Sequence, residues 1–107
     1  MTFPHRVSAG DIWKKVLSGQ AILVCAHEGQ KEFRGNHLES AMDLAEFRAR
    51  LPTMALDQEI IFYCSCSKES VSAGVAENYL REGFTNIHVL KGGAAAWKKA
   101  GYPVVSE

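Results

Sequence analysis

The chain predicts an α/β fold built on a mainly parallel sheet. Residues 21–25 (Ala21-Ile22-Leu23-Val24-Cys25) and 60–63 (Ile60-Ile61-Phe62-Tyr63) are continuous apolar runs of strand length. Such runs suit strands covered on both faces. Helical apolar patterns alternate with them, the element order of a parallel sheet. Gly19, Pro52, Gly83 and Gly101 punctuate the ends of the helical stretches.

In chain order, Ser8 reads as a helix N-cap, with Asp11 three residues on in an imperfect capping box. Ile12 and Val16, with Trp13 and Leu17 beside them, form an i, i+4 stripe, and Gly19 is the stop. The apolar run 21–25 is the next strand. Residues 29–36 are polar and read as a turn of helix plus loop, and residues 41–44 as a weak, short strand. Residues 45–51 read as helix ended by Pro52. After the strand at 60–63, Val75 and Tyr79 keep helical spacing, flanked by Ala76 and Leu80, and Gly83 ends that helix. Residues 86–90 read as a strand, Gly92-Gly93 as a turn, and 94–100 as a short helix closed by Gly101 and followed by Pro103.

The length of 107 residues fits one domain spanning 1–107, large enough to bury a core without covalent staples. Twelve basic residues balance twelve acidic ones, so the charge provides no footprint for nucleic acid or a membrane surface. No apolar run approaches the ~20 residues that cross a bilayer, and residues 1–6 lack the design of a secretory signal. The three cysteines, Cys25, Cys64 and Cys66, cannot all pair within one chain. An odd count without a signal points to reduced thiols and a cytoplasmic location.

The most informative stretch is Tyr63-Cys64-Ser65-Cys66-Ser67-Lys68-Glu69-Ser70. An apolar strand stops at a cysteine, a short polar loop follows, and a helical pattern begins near Ser70. Ligands of parallel sheets bind beyond the carboxyl ends of the strands, where Cys25 and Cys64 both fall. Unpaired N–H groups at a helix start favour negative charge, and so favour the thiolate, the reactive form of cysteine. Lys68 acts in the same direction against the ordinary thiol pKa of about 8.5, and Glu69 acts against it. Cys64 is the candidate nucleophile because it directly follows the strand. Cys66 competes for that role and has two other readings, a resolving thiol or an inert loop thiol. A Cys64–Cys66 disulfide is cramped, because disulfides prefer Cα separations near ~5.5 Å.

Other chemistries fit less well. Metal binding is set aside: His5, His27, His37 and His88 are scattered, and the paired spacing of zinc ligands is missing. Phosphate chemistry profits from an arginine that clamps oxyanions bidentately, and residues 64–72 contain none. Trp97 and Tyr63 read as interior packing residues, and His37 as a residue that holds loop backbone.

The chain resembles the single-domain rhodanese family. The most specific match is Gly92-Gly93-Ala94-Ala95-Ala96-Trp97-Lys98-Lys99-Ala100-Gly101-Tyr102-Pro103, similar to the family's Gly-Gly-x-x-x-Trp-x-x-x-Gly-Tyr-Pro ending. Tyr63-Cys64 looks like the family's strand end and catalytic cysteine. Gly83-Phe84 and the strand after it stand in the expected place. Asn36-His37-Leu38-Glu39-Ser40-Ala41 is a degraded Gly-His-Ile-Pro-Gly-Ala. Three departures stand beside these. Cys25-Ala26-His27-Glu28 replaces the usual Asp-x-Arg. Ser67 and Glu69 replace the glycine and arginine of Cys-x-x-Gly-x-Arg-Ser when aligned from Cys64. The segment before Gly83 is about two residues longer than usual. Either the loop is enlarged, with Ser72 in the usual serine's place, or Cys66 stands where the nucleophile does.

The resemblance implies a five-stranded, mainly parallel sheet flanked by helices on both faces. It also implies sulfur transfer through a cysteine persulfide. Cys64 would be the nucleophile, in a substrate loop of Ser65, Cys66, Ser67, Lys68, Glu69 and Ser70. A small anionic sulfur donor and a thiol, cyanide or protein acceptor are the partners expected, with no metal or organic cofactor. Two alternatives accompany this reading. The chain is a persulfide carrier or interaction module without turnover, or Cys66 or Cys25 acts as a second thiol that attacks the persulfide and releases sulfide.

Overall fold

The structure, a computed structural model, describes residues 5–26, 37–38, 41–63 and 70–105, with His37, Ser70, Val71 and Val105 described by backbone alone. The elements in order are β1 (His5–Val7), α1 (Ala9–Ser18), β2 (Ala21–Cys25), β3 (His37–Leu38), β4 (Ala41–Met42) and α2 (Leu44–Arg50), which runs into a 3-10 turn (Leu51–Thr53). There follow β5 (Glu59–Tyr63), α3 (Ser70–Arg81), β6 (Ile87–Leu90), α4 (Gly93–Lys99) and β7 (Val104–Val105). Five strands form one sheet in the order β1-β6-β5-β2-β4, every pair of it parallel. β3 and β7 pair antiparallel in a separate ribbon.

Strand alternation explains the two-faced core. On β2 and β5, Ala21, Leu23, Cys25, Ile61 and Tyr63 point to one face, where Ile12 and Val16 of α1 and Trp97 of α4 cover them. Val24, Ile60 and Phe62 point to the other, under Leu44 and Phe47 of α2 and Ala76 and Tyr79 of α3. Successive side chains of a strand face opposite ways. A strand with helices on both faces is therefore apolar throughout, the pattern that made these strands legible. On the second face Phe47 meets Phe62 and Tyr79 edge-on at 5.4 and 5.1 Å, and Phe62 stacks on Tyr79 at 5.7 Å. Each such pair adds roughly 0.5–1.5 kcal/mol beyond burial.

The helix ends follow their caps. Ser8 Oγ accepts from the Asp11 N–H, and the left-handed Gly19 donates its N–H to the Val16 carbonyl, closing α1 as expected. Leu17, read as part of the buried stripe, is 52% exposed; the buried stripe is Ala9, Ile12 and Val16. Residues 41–44 were expected as one short strand, but the strand stops at Met42. Asp43 is instead the N-cap of α2, accepting from the Glu46 N–H at 2.7 Å, and Leu44 opens the helix. A capped helix start satisfies an orphan N–H that two more strand residues would not. Pro52 ends the α-helix as predicted, but it sits in the first turn of the 3-10 extension, where its missing N–H costs nothing. Strands β1, β3 and β7, none longer than three residues, went unread. The expected helix-and-loop over 29–36 lies outside the described residues.

Gly92 carries the turn from β6 into α4 with φ +77°, and a Cβ there would lie 2.6 Å from Ala96 Cβ. Left-handed strain and overpacking act together, so Gly92→Ala is expected to destabilise the protein by about 2–4 kcal/mol. Urea unfolding of the purified variant measures this directly, and a loss below about 0.5 kcal/mol would contradict it.

Candidate functional site

Because all five strands of the main sheet run the same way, their carboxyl ends share one edge. β5 lies at the centre, between β6 and β2. It ends at Tyr63, and α3 begins at Ser70. The segment 64–69, which holds Cys64, Ser65, Cys66, Ser67, Lys68 and Glu69, lies outside the described residues. What flanks it is described on both sides. Upstream is a fully buried strand end. Downstream is the amino terminus of a twelve-residue helix with no acidic residue in its first turn. The first N–H groups of such a helix lack intrahelical partners and carry its positive end. Ser70 opens the helix in backbone. Ser72, in the same first turn, is the buried polar side chain of the described core, 1% exposed.

Cys25 ends β2 directly beside this strand end. It is the Cα partner of Tyr63, and the next amide, Ala26 N–H, donates to the Tyr63 carbonyl at 2.8 Å. The end of β2, which carries Cys25, and the end of β5, which precedes Cys64 in the chain, therefore lie side by side; the Cys64 thiol lies outside the described residues. The Cys25 thiol itself is only 2% exposed, packed in the face under α1 and α4. A buried cysteine behaves as a small hydrophobe, so service as a second thiol would require this part of the core to open.

Tyr63 does more than fill the interior. Its hydroxyl accepts from the Leu38 N–H at 3.3 Å in a buried contact, tying the root of the cysteine segment to β3. β3 in turn pairs with β7, Leu38 opposite Val104. Trp97 is fully buried, as expected, and its indole N–H donates to the Pro103 carbonyl at 2.8 Å, fixing the start of the tail that forms β7. The tail motif and the strand end before Cys64 thus belong to one connected structure. The side chain of His37 lies outside the described residues. Among the described residues no group of His, Cys, Asp or Glu could hold a metal ion, and no helix is long and apolar enough to cross a membrane.

A wholly parallel main sheet covered by helices on both faces, with a cysteine-bearing segment of the sequence between its central strand and the next helix, defines an α/β protein. A model of the Rhodanese-like domain family matches residues 13–100, and the chain belongs to that family. Solved structures agree in fold. A rhodanese-related protein from Thermoplasma volcanium superposes with a TM-score of 0.75 at 21% identity, over 96% of this chain and 99% of that one. A protein from Anabaena sp. superposes at 0.80 with 19% identity, over 94% and 91%. Thiosulfate sulfurtransferase from Pseudomonas aeruginosa superposes at 0.81 with 23% identity, over 96% of this chain but 20% of that longer one. No curated protein sequence matches.

Proposed function

We propose that the chain, acting as a single domain over residues 1–107, is a sulfurtransferase that carries a sulfane sulfur as a Cys64 persulfide. One observation supports this above the rest: the segment between the end of the central strand and an acid-free helix start begins with a cysteine. Helix N–H groups at that position favour the thiolate and, once sulfur is loaded, the persulfide anion.

In the first half-reaction the Cys64 thiolate attacks the outer sulfur of a donor such as thiosulfate. A new S–S bond forms, the donor's S–S bond breaks, and sulfite departs with the bonding pair. In the second, a thiol or cyanide attacks the terminal sulfur, takes it, and returns the thiolate. Cyanide leaves as thiocyanate. Lys68 would draw in the anionic donor, and Ser65, Ser67 and Ser70 would add hydrogen-bond donors. Cys66 is the competing nucleophile. The two half-reactions share one covalent intermediate, so steady-state kinetics should be ping-pong.

Incubation with thiosulfate followed by intact-mass measurement tests the reading. A mass gain of about 32 Da, one sulfur atom, should appear and should vanish on adding cyanide. If no sulfur donor loads the protein, the sulfurtransferase reading is wrong.

The replacement of Asp-x-Arg by Cys25-Ala26-His27-Glu28, together with Glu69 in the loop, favours a second reading: a persulfide carrier or interaction module without turnover. A persulfide that forms readily but resists cyanide and small thiols is its expected signature.

A further inference from the structure

The opposite, amino-terminal edge of the sheet holds a polar cluster that sulfur transfer does not use. His88 of β6 and Glu59 of β5 face each other, 16% and 15% exposed, with His88 Nε2 3.2 Å from Glu59 Oε2. Nε2 also lies 2.8 Å from Asn86 Oδ1. Both partners accept, so Nε2 carries the hydrogen in the neutral ring. From α1, Lys15 Nζ sits 3.4 Å from the same carboxylate. The other ring nitrogen, His88 Nδ1, is buried and has no hydrogen-bond partner among the described residues. On the β1 side, His5 is the strand partner of His88, its ring edge-on at 5.5 Å. Asp57 and Glu59 are the acidic residues lining the adjoining cavity of about 420 Å³.

This arrangement suits neutral His88 and strains the charged one. A proton on Nδ1 would be buried without an acceptor, and a charged His5 would stand directly opposite. Burial pushes the His88 pKa down; the Glu59 carboxylate raises it, His5 and Lys15 lower it, and the net shift is downward from the ordinary 6.5. A group with a depressed folded pKa contributes stability that is present above the unfolded value, here 6.5, and is lost as pH falls through the folded value. The strain therefore grows on acidification.

The least costly relief is local. β1 has three residues, lies at the sheet edge and, among the described residues, pairs with β6 alone, and His5 and Arg6 are exposed. Its departure would remove the opposing imidazole and uncover that side of His88, leaving the central strands paired. We propose that His88 makes the docking of β1 pH-sensitive, so that acidification releases this edge strand from β6 while the rest of the parallel sheet stays folded.

Amide hydrogen exchange on the full chain, followed by NMR, tests this. The Lys91 N–H donates to the Val7 carbonyl at 2.8 Å and reports on β1 docking. The Ala26 N–H to the Tyr63 carbonyl and the Ile60 N–H to the Asn86 carbonyl, at 2.8 and 3.0 Å, report on the interior. From about pH 7.5 to about pH 5.5, protection at Lys91, corrected for intrinsic rate, should fall by up to about tenfold, the ceiling for one proton linked to opening, while the interior amides hold steady. In His88→Gln the selective fall should disappear. Constant protection at Lys91, a fall in step with the interior amides, or a selective fall that persists in His88→Gln overturns the proposal. If His88→Gln does not fold, His5→Gln decides: a smaller selective fall upholds the proposal and an unchanged one overturns it.

Discussion

Cys64→Ser should abolish sulfur loading from thiosulfate and lower any transfer rate roughly a thousandfold or more, the scale seen when a covalent nucleophile is removed. A serine oxygen cannot hold the sulfane sulfur as a persulfide, so this is a chemical loss that no repacking restores. Cys66→Ser should keep the mass gain of about 32 Da and change the rate far less. The pair of variants separates the candidates. If Cys66→Ser loses the adduct and Cys64→Ser keeps it, the assignment is reversed and Cys66 stands in the nucleophile's place. The thiolate argument adds a second readout. On the proposed reading, alkylation rate against pH should titrate below the ordinary thiol value of about 8.5, since N–H groups at a helix start favour an anion. An inflection at or above that value would mean that Glu69, or simple burial, dominates the electrostatics.

The largest expected effect on stability comes from Trp97→Ala. The indole is fully buried and meets Trp13 edge-on at 5.2 Å and Tyr102 at 5.2 Å, while Trp13 and Tyr102 stack at 5.0 Å. Truncation leaves a cavity between α1, α4 and the sheet, breaks these ring contacts and strands the Pro103 carbonyl. The loss should be about 3–5 kcal/mol. Against a typical total of about 5–15 kcal/mol, that places the variant near the edge of folding. The melting temperature should fall by on the order of 20 °C. Trp97→Phe retains most of the ring but loses the hydrogen bond to the Pro103 carbonyl, and should lose about 1–3 kcal/mol. Urea titrations of both variants check the ranking, and a Trp97→Ala loss below about 1 kcal/mol would remove Trp97 from its place as the anchor of the tail. Because β7 follows Pro103 and pairs with β3, which Tyr63 holds, the truncation should also loosen the β3–β7 ribbon.

The parts of the fold that could be read from the chain are those whose information is local. β2, β5 and β6 announce themselves because helices on both faces require apolar side chains at nearly every position. α1 and its ends are written in Ser8, Asp11 and Gly19, because caps answer N–H and C=O groups within a few residues. The Asp43-x-x-Glu46 cap was equally legible in principle, but Ala41 and Met42 drew the reading toward a longer strand. Trp97 reads as interior from its place on a short terminal helix, where aromatics usually pack inward, and it is fully buried.

Other features depend on which distant residues meet. β1, β3 and β7 are too short to show a period, and pairing alone makes them strands. Nothing near Tyr63 in the chain says that its hydroxyl would take the Leu38 amide, and nothing near His88 says that Glu59, Lys15 and His5 would surround it. Residue types and short spacings thus suffice for the class of fold and the helix caps. The ribbon that Tyr63 holds and the histidine cluster at the far edge arise from strand register, which sets far-apart segments side by side through backbone hydrogen bonds and shared burial, forces that leave no periodic mark in so few residues.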